Sequence, residues 1–254
     1  MIGLFDSGIG GLSVVRALLD KHPGSSFVYY GDLARSPYGT KSPAEVAAYA
    51  RQNVQFLLQQ GAESVVIACH TAAAHATDRL REAYPHVPIV SVTEHGIDEV
   101  LHASTTGHVV VLGTDGTARS GAHERLLKQS DPFCRVTTIG LSVLVPLIEE
   151  GASEQRIETA MRRVLATQWP QDADVALLAC THFPLVQTLF QRVLGPDVFL
   201  ANPAIDVALK LHPPQVSPEE AVHRYFFSSE VRATTIATQL LGQAFQPRVV
   251  TPLA

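Results

Sequence analysis

Two cysteines end two similar apolar segments of the chain. Cys69 lies in "VVIACHT" and Cys180 in "ALLACTH", an offset of 111 residues. Each thiol follows an apolar run typical of a buried strand and precedes a helical pattern. Helix N-terminal amides stabilise negative charge, so a cysteine placed there is favoured as a thiolate. Buried structural cysteines are the alternative. That alternative explains either site alone but explains the matched pair poorly.

Three polar residues could assist proton transfer at these thiols. His182 lies two residues after Cys180 and could act as an acid or base, or stabilise a thiolate. Asp6 ends the first apolar run and could do similar work for the other cysteine. Glu149, in "VPLIEEG", could equally be a solvated charge at a helix end. A lone histidine is more often structural, so both interpretations stay open here.

Two further segments could bind a small anion. "FDSGIGGLS" starts a helix, where glycine amides and Ser7 could hold a carboxylate or simply cap the turn. Ser13 stands where a dinucleotide fingerprint needs glycine, and the Gly-Lys pair of a phosphate-binding loop is missing. In "RSPYGTKS", Pro37 and Gly39 favour a turn, and Tyr38 is unusual for an idle surface loop. Either a surface turn or a binding loop fits this segment.

The sequence predicts neither a metal nor an organic cofactor. The spacings in "CHTAAAH" and "CTH" differ from those of zinc sites, and no C-x-x-C motif is present. A pyridoxal Schiff base needs a lysine, and none follows a strand end beside these motifs. The four lysines are Lys21, Lys41, Lys128 and Lys210.

Composition excludes several classes of protein. The 254-residue chain has a net charge of −5 and no basic cluster, which argues against nucleic-acid binding. Its longest apolar runs, about eight residues, are too short to span a bilayer. "MIGLFDSGIGG" lacks the basic head and apolar middle of a signal peptide. The odd number of cysteines, three, indicates reduced thiols, so we expect a cytoplasmic protein.

Short apolar runs alternate with longer helical patterns along the whole chain, which predicts an α/β fold with parallel sheets covered on both faces. "IGLFDSGIGGLSVV" and "VVVLGTDGTARSGA" share a pattern at an offset of about 108 residues, so we infer two similar units. Binding sites in such sheets form at the carboxyl ends of strands. Asp6, Ser7, Cys69, Thr114 and Cys180 all fall at such ends. If the units face each other, the cysteines meet across a cleft.

Several motifs together carry a resemblance to a known family. "GLFDSGIGGLSV", "YYGDLARSPYG", "LVPLIEEG" and "ACTHFPLV" resemble the glutamate racemases of the cofactor-independent aspartate/glutamate racemase superfamily. The resemblance covers nearly the whole chain. It implies two α/β domains related by a pseudo-twofold axis, with the active site in the cleft between them. We expect residues 1–93 plus 207–254 to form the first domain and residues 94–206 the second.

The resemblance also implies roles for individual residues. Cys69 and Cys180 would be the two acid/base thiols, assisted by Asp6 and His182, with Glu149 as a further acidic residue of the site. It implies interconversion of L- and D-glutamate without a cofactor, for peptidoglycan, and leaves a homodimer open. The residues that match substrate-holding positions are Ser7, Tyr38, Gly39, Thr71 and Thr181, and Pro37 and His70 are further candidates for substrate binding.

Two alternatives remain beside a glutamate racemase. One is a racemase of the same superfamily that acts on another amino acid. The other is a non-catalytic two-domain protein that closes on a small acid, which the paired cysteines argue against.

The chain departs from the family pattern at several positions. The family has Cys-Asn-Thr at the first thiol, where this chain has His70, and His123 stands where a tyrosine is expected. Ser91 and His95 replace a glycine and a proline, and Leu141 and Ser142 replace a Cys-Pro pair. The two thiols, Asp6 and His182 are retained. The sequence therefore predicts intact racemase chemistry in an altered pocket.

The departure at His70 gives a first prediction. Asparagine offers both a donor and an acceptor amide to a substrate, whereas histidine is bulkier and titrates. If His70 binds substrate, His70→Asn should change KM for glutamate and leave kcat nearly unaltered. Steady-state kinetics of both proteins test this, and identical KM values would contradict a binding role.

Overall fold

Ten strands are present in the part of the chain that the structure, a computed structural model, describes: residues 1–231, 234–241 and 245–253. They are β1 (Ile2–Asp6), β2 (Phe27–Gly31), β3 (Ser64–Ile67), β4 (Ile89–Ser91), β5 (His108–Gly113), β6 (Arg135–Gly140), β7 (Val175–Ala179), β8 (Phe199–Ala201), β9 (His223–Phe227) and β10 (Pro247–Val249). The strands form two separate sheets, with orders β10-β9-β2-β1-β3-β4 and β6-β5-β7-β8, and each neighbouring pair is parallel. This confirms the predicted class of two parallel-sheet α/β domains.

Helices connect the strands, as parallel pairing requires. The α-helices are α1 (Leu12–Lys21), α2 (Pro43–Gln59), α3 (His70–Ala83), α4 (Ile97–Ala103), α5 (Asp115–Ser120), α6 (Ala122–Ser130), α7 (Leu144–Glu149), α8 (Glu154–Gln168), α9 (Gln187–Leu194), α10 (Pro203–Lys210) and α11 (Thr234–Leu241). None of these is both long and apolar enough to cross a membrane, within the described ranges.

The pattern of "GTARSGAHERLLKQ" is typical of one helix, but the structure has two helices there, α5 and α6. Gly121 has a φ of 63°, in the left-handed region, and separates α5 from α6. Only glycine adopts that conformation readily, so the backbone turns there although the flanking residues favour a helix.

The second sheet is covered on both faces, as its sequence indicates. Side chains alternate between the faces of a strand. Along β5, Val110 and Leu112 therefore pack into one apolar cluster, while Val109 and Val111 pack into another on the opposite face. The whole of β5 is buried. Because both faces of such a sheet are covered, a binding or catalytic site forms at the ends of its strands.

The first sheet gains its outer strands from the C-terminal part of the chain. β9 pairs with β2, with Phe27 opposite His223, and β10 extends the sheet beyond β9. All strands of the second sheet lie between residues 108 and 201. The boundaries 1–93 plus 207–254 and 94–206 stay a prediction.

A buried ion pair fixes the loop between β2 and α2. Asp32 is fully buried, and Oδ2 accepts a hydrogen bond of 2.7 Å from Nε of Arg35. The Tyr38 hydroxyl also donates to Asp32, and Ser228 donates to Oδ1 over 2.9 Å. Because one buried carboxylate anchors three side chains, the path of residues 32–41 is set from within the first sheet.

This anchoring predicts a large effect on stability. Asp32→Ala would leave the guanidinium of Arg35, which is 15% exposed, without its carboxylate. Breaking a buried ion pair typically lowers the free energy of unfolding by about 3–5 kcal/mol. Urea denaturation of the variant and the parent should show that loss.

The matched control is Asp20→Ala. Asp20 pairs with Arg16 over 2.7 Å within α1, but both side chains are about half exposed. Exposed pairs contribute about 0.2–1 kcal/mol. Equal losses in the two variants would contradict the anchoring role of Asp32.

Candidate active site

A cavity of about 430 Å³ lies where the carboxyl ends of both sheets meet. Cys69 reaches it from the end of β3, and Cys180 from the end of β7. Cys134, the third cysteine, does not line it. All the predicted site residues except Asp6 lie in its wall: Ser7, Pro37, Tyr38, Gly39, Cys69, His70, Thr71, Glu149, Cys180, Thr181 and His182. The structure thus brings both thiols into one space, and their catalytic roles stay a prediction.

Cys69 is the N-cap residue of α3. Sγ accepts a hydrogen bond from the backbone N–H of Ala72 over 3.5 Å and lies 3.7 Å from Oγ of Ser7. The thiol is buried. Burial raises the pKa of Cys69 to about 12, and the negative charge of Asp6 adds to this rise. At neutral pH this cysteine therefore holds its proton.

Cys180 has a different partner. Its Sγ lies 3.9 Å from Nδ1 of His182, whose Nε2 lies 2.9 Å from Oε1 of Glu149. Burial lowers the pKa of His182, but hydrogen bonds and charges of Cys180 and Glu149 outweigh that effect and raise it to about 10. The ring is therefore a cation at neutral pH. The two thiols therefore have different electrostatic surroundings, because Cys69 lies near the carboxylate of Asp6 and Cys180 lies near the imidazolium of His182.

Asp6 lies behind the cavity wall and links its two sides. It is fully buried, accepts from the N–H of Gly8 over 2.9 Å and accepts from the hydroxyl of Thr181 over 3.2 Å. Burial raises the pKa of Asp6, while the charge of His182 and the backbone hydrogen bonds act in the opposite direction. Asp6 is thus close enough to act electrostatically on both Cys69 and His182.

The turn after β1 packs tightly on the strand end that carries Cys180. A Cβ at Gly10 would lie 2.5 Å from Oγ1 of Thr181 and 2.6 Å from the ring of His182. Real side chains do not come that close, so glycine is required for this approach. This glycine lets the first sheet's turn touch the second sheet's catalytic candidate directly.

Three threonine hydroxyls meet in the wall of the cavity. Oγ1 of Thr71 lies 2.9 Å from that of Thr114 and 3.0 Å from that of Thr117. Thr114 and Thr117 are 3.0 Å apart, and Thr114 also caps α5 by accepting from the N–H of Thr117. The cluster joins α3 to α5 and offers hydroxyl groups that suit a carboxylate.

A pair of histidines lies beside this cluster, of which His70 lines the cavity and His123 does not. Nδ1 of His70 lies 3.2 Å from Nε2 of His123. Burial and the neighbouring His123 lower the pKa of His70 well below its ordinary value, and burial lowers that of His123 to about 4. Both rings are therefore neutral at physiological pH.

The loop of residues 36–40 lines the side of the cavity nearest α5. The Ser36–Pro37 peptide is cis. Arg119 donates to the carbonyl of Gly39 over 3.1 Å, and a Cβ at Gly116 would lie 2.8 Å from Cα of Gly39. The hydroxyl of Tyr38 is held by Asp32 and Asn53. Tyr38 therefore lines the cavity, but its hydroxyl group is already hydrogen-bonded to Asp32 and Asn53 and is not free for a ligand.

Sequence reasoning missed several wall residues. Thr114 was noted as a strand end but not as a site residue, and that position was its signal. Thr117 carried no local signal, because it reaches the cavity from helix α5. The signal for Ser142, in the turn before α7, was its departure from the family pattern. Across the described chain, no cluster of three His, Cys, Asp or Glu could hold a metal ion. The expectation of cofactor-free chemistry stays a prediction.

Comparison with known proteins adds an independent line of evidence. Residues 12–208 match the family model described as Asp/Glu/Hydantoin racemase. The chain is 35% identical over 261 residues to a glutamate racemase of Desulforudis audaxviator, covering 97% of this chain and 95% of that protein.

Solved structures give the same result. A glutamate racemase isoform of Bacillus anthracis superimposes with a TM-score of 0.91 at 30% identity, covering 98% of this chain and 97% of that one. A glutamate racemase of Francisella tularensis in complex with D-glutamate gives 0.90 at 28% identity, with the same coverage.

The contact between His182 and Glu149 generates a prediction about charge. Since the pKa of His182 is raised, its ring loses the proton only as the pH rises through about 10. Glu149→Gln removes the negative partner of Nε2, so the pKa should fall. NMR titration of the His182 ring protons measures the midpoint directly.

The control is the neighbouring acid. Glu150 is exposed and pairs with Arg156 over 3.1 Å. Glu150→Gln should leave the titration of His182 where it is. A midpoint that moves equally in both variants, or in neither, would show that Glu149 does not set the charge of the ring.

Proposed function

The chain belongs to the Asp/Glu/hydantoin racemase family, and on that premise we propose that it interconverts L- and D-glutamate by two-thiol proton transfer. It is an amino-acid racemase, an isomerase. The observation that carries the proposal is the shared cavity, into which each sheet brings one cysteine.

Inversion of an α-carbon explains why two thiols are needed. A base must remove the proton from one face, and an acid must deliver a proton to the other. One fixed group cannot serve both faces, whereas Cys69 and Cys180 enter from different sheets. For either direction, one sulfur must begin as thiolate and the other as thiol.

The unequal surroundings of the sulfurs support an assignment of starting states. Cys69, buried beside Asp6, is the thiol. We assign the first base to Cys180, because its Sγ lies 3.9 Å from Nδ1 of His182, a cation placed to stabilise negative charge on the sulfur. Cys180 and Glu149 both raise the pKa of His182, so Glu149 acts on Cys180 through the ring.

In the proposed reaction, one proton leaves the α-carbon and another is added to its opposite face. Sγ of Cys180 takes the α-proton, the C–H bond breaks, and its electron pair stays on the α-carbon. Cys69 delivers its proton to the opposite face, forming the new C–H bond and leaving a thiolate. For the other enantiomer the roles of the two sulfurs exchange, with Asp6 placed to assist Cys69 and His182 to assist Cys180.

The developing carbanion must be stabilised by fixed donors around the α-carboxylate. Ser7, Thr71, Thr181 and His70 line the cavity and can donate hydrogen bonds. Pro37, Tyr38 and Gly39 form the adjoining loop. Their arrangement supports a small dicarboxylate as the substrate, and we assign the substrate-binding role to this set.

Glutamate racemase activity would supply D-glutamate for peptidoglycan, and we place the enzyme in the cytoplasm, where that precursor is made. The relative from Francisella tularensis was solved with D-glutamate, which supports glutamate as the substrate here. A homodimer stays a prediction. His70 favours one second candidate, a racemase of the same family for another amino acid, because this cavity-lining residue differs from the family pattern.

Proton NMR of L-glutamate in deuterated water tests the activity. With metal-free, pyridoxal-free enzyme, we expect the α-proton signal to disappear while D-glutamate accumulates in the same tube. Deuterium enters because the thiol that delivers the proton exchanges with solvent. Binding of glutamate without loss of this signal would refute the proposed racemisation and favour the second candidate or a binding protein.

Serine variants test the two-thiol step. A serine hydroxyl is a far weaker acid than a thiol, so Cys69→Ser and Cys180→Ser should each lower kcat for racemisation by about 10³-fold or more. Coupled assays in both directions measure this. Cys134→Ser is the matched control, since Cys134 lies outside the cavity, and it should keep parental kcat. Full activity in either of the first two variants would contradict the mechanism.

A further inference from the structure

We propose that His123 is a positioning residue that holds His70 in the neutral tautomer with its proton on Nε2, so that His70 donates a hydrogen bond to a substrate carboxylate. The proposal rests on the proposed function for the identity of that substrate. It concerns a residue, His123, that does not line the cavity. His123 would act through His70.

The geometry starts from the contact between the two rings. Nδ1 of His70 and Nε2 of His123 are 3.2 Å apart, and the ring planes are inclined by 30°. His70 is 4% exposed and His123 is 2% exposed, so water cannot readily replace the contact. In a hydrogen bond between two neutral imidazoles, one nitrogen donates and the other accepts. The pair therefore has two tautomeric arrangements.

The remaining nitrogen of His123 distinguishes these arrangements. Nδ1 of His123 is buried and has no hydrogen-bond partner among the described residues. If His70 donated, Nε2 of His123 would accept and Nδ1 would carry a buried proton with no acceptor. If His123 donates, Nδ1 carries only a lone pair. Among buried backbone groups, orphaned N–H donors are rarer than under-satisfied acceptors, and the same preference selects the second arrangement here.

The consequence for His70 follows directly. When Nε2 of His123 donates, Nδ1 of His70 accepts, so the single proton of His70 must lie on Nε2. His70 lines the cavity, and its Nε2 has no hydrogen-bond partner within the described part of the chain. Nε2–H is thus the polar group that a ligand in the cavity can reach, and a carboxylate oxygen is its natural acceptor.

The neutral state of the pair has support from its surroundings. His70 is the first residue of α3, where the positive end of the helix dipole disfavours a cationic ring. Burial disfavours charge on both rings as well. A neutral His70 would donate a hydrogen bond to a carboxylate without adding a second positive charge to the site beside the imidazolium of His182.

The tautomer can be observed directly in the full-length parent protein. Long-range proton–nitrogen NMR correlations on histidine-labelled protein distinguish a protonated ring nitrogen from a bare one. The chain has eleven histidines, and spectra of His70→Asn and His123→Gln identify the two signals. We expect Nε2 of His70 to be protonated and Nδ1 to be bare. A proton on Nδ1, or on both nitrogens, would overturn the proposal.

Kinetics test the consequence for substrate. His123→Leu removes the donor to Nδ1 of His70, so KM for glutamate should rise by about ten-fold, as expected for a lost hydrogen bond to a charged group. Since the thiols are untouched, kcat should stay within about two-fold. His123→Gln carries an amide N–H near the position of Nε2 and should return KM towards the parental value. Equal rises in the leucine and glutamine variants would contradict the positioning role.

His108→Leu is the control for the loss of a buried histidine as such. His108 begins β5, at the opposite end from the cavity, and bonds to Asp172 and Thr137 over 2.9 Å each. Its KM should equal that of the parent, and a ten-fold rise would count against the proposal. Absence of glutamate racemisation by the parent would refute the proposed function, whereas the tautomer spectrum would still decide the state of His70.

Discussion

The hydrogen bond between His182 and Glu149 is the interaction on which the character of the site depends. Burial alone would lower the pKa of the ring, whereas the hydrogen bonds and charges of Cys180 and Glu149 together raise it to about 10. A cation therefore lies beside Cys180, while a buried carboxylate lies near Cys69. The proposed reaction needs one thiolate and one thiol, and the surroundings of the two sulfur atoms already differ in charge before substrate binds. Because the proposed substrate, glutamate, is anionic, a fixed cation in the wall would also offset part of the negative charge in the cavity.

The fold determines where the two cysteines lie, and glycines allow the two sheets to approach each other closely. Parallel sheets place the carboxyl ends of their strands along one edge, so each sheet can present a cysteine at the same kind of location. Bringing the two edges together requires close approaches that leave no room for a Cβ atom. Gly10 against the side chains of Thr181 and His182 is one such approach, and Gly116 against the backbone of Gly39 is another. The loop that carries Gly39 is anchored by Asp32, a residue that does not line the cavity.

Sequence reasoning was successful where a residue's position follows from one element. Cys69, Cys180 and Asp6 each follow an apolar strand, so parallel pairing predicts that each lies at the carboxyl edge of its sheet. Their meeting in one region depended on the further condition that the two units face each other. It was less successful where position depends on how the two units pack. Thr117 belongs to α5 of one unit yet completes a hydroxyl cluster with Thr71 of the other. The break at Gly121 likewise required a backbone angle that the helical pattern does not indicate.

The contact between His70 and His123 connects two departures from the family pattern that looked independent in the sequence. They are separated by more than fifty residues in the chain, yet their ring nitrogens are in hydrogen-bonding contact. A histidine at position 70 alone could carry its proton on either nitrogen, and only one choice offers a donor to the cavity. A histidine at position 123 removes that ambiguity, because its own buried Nδ1 has no acceptor for a proton among the described residues. The two replacements therefore act as one unit, and the effect of changing either depends on the presence of the other.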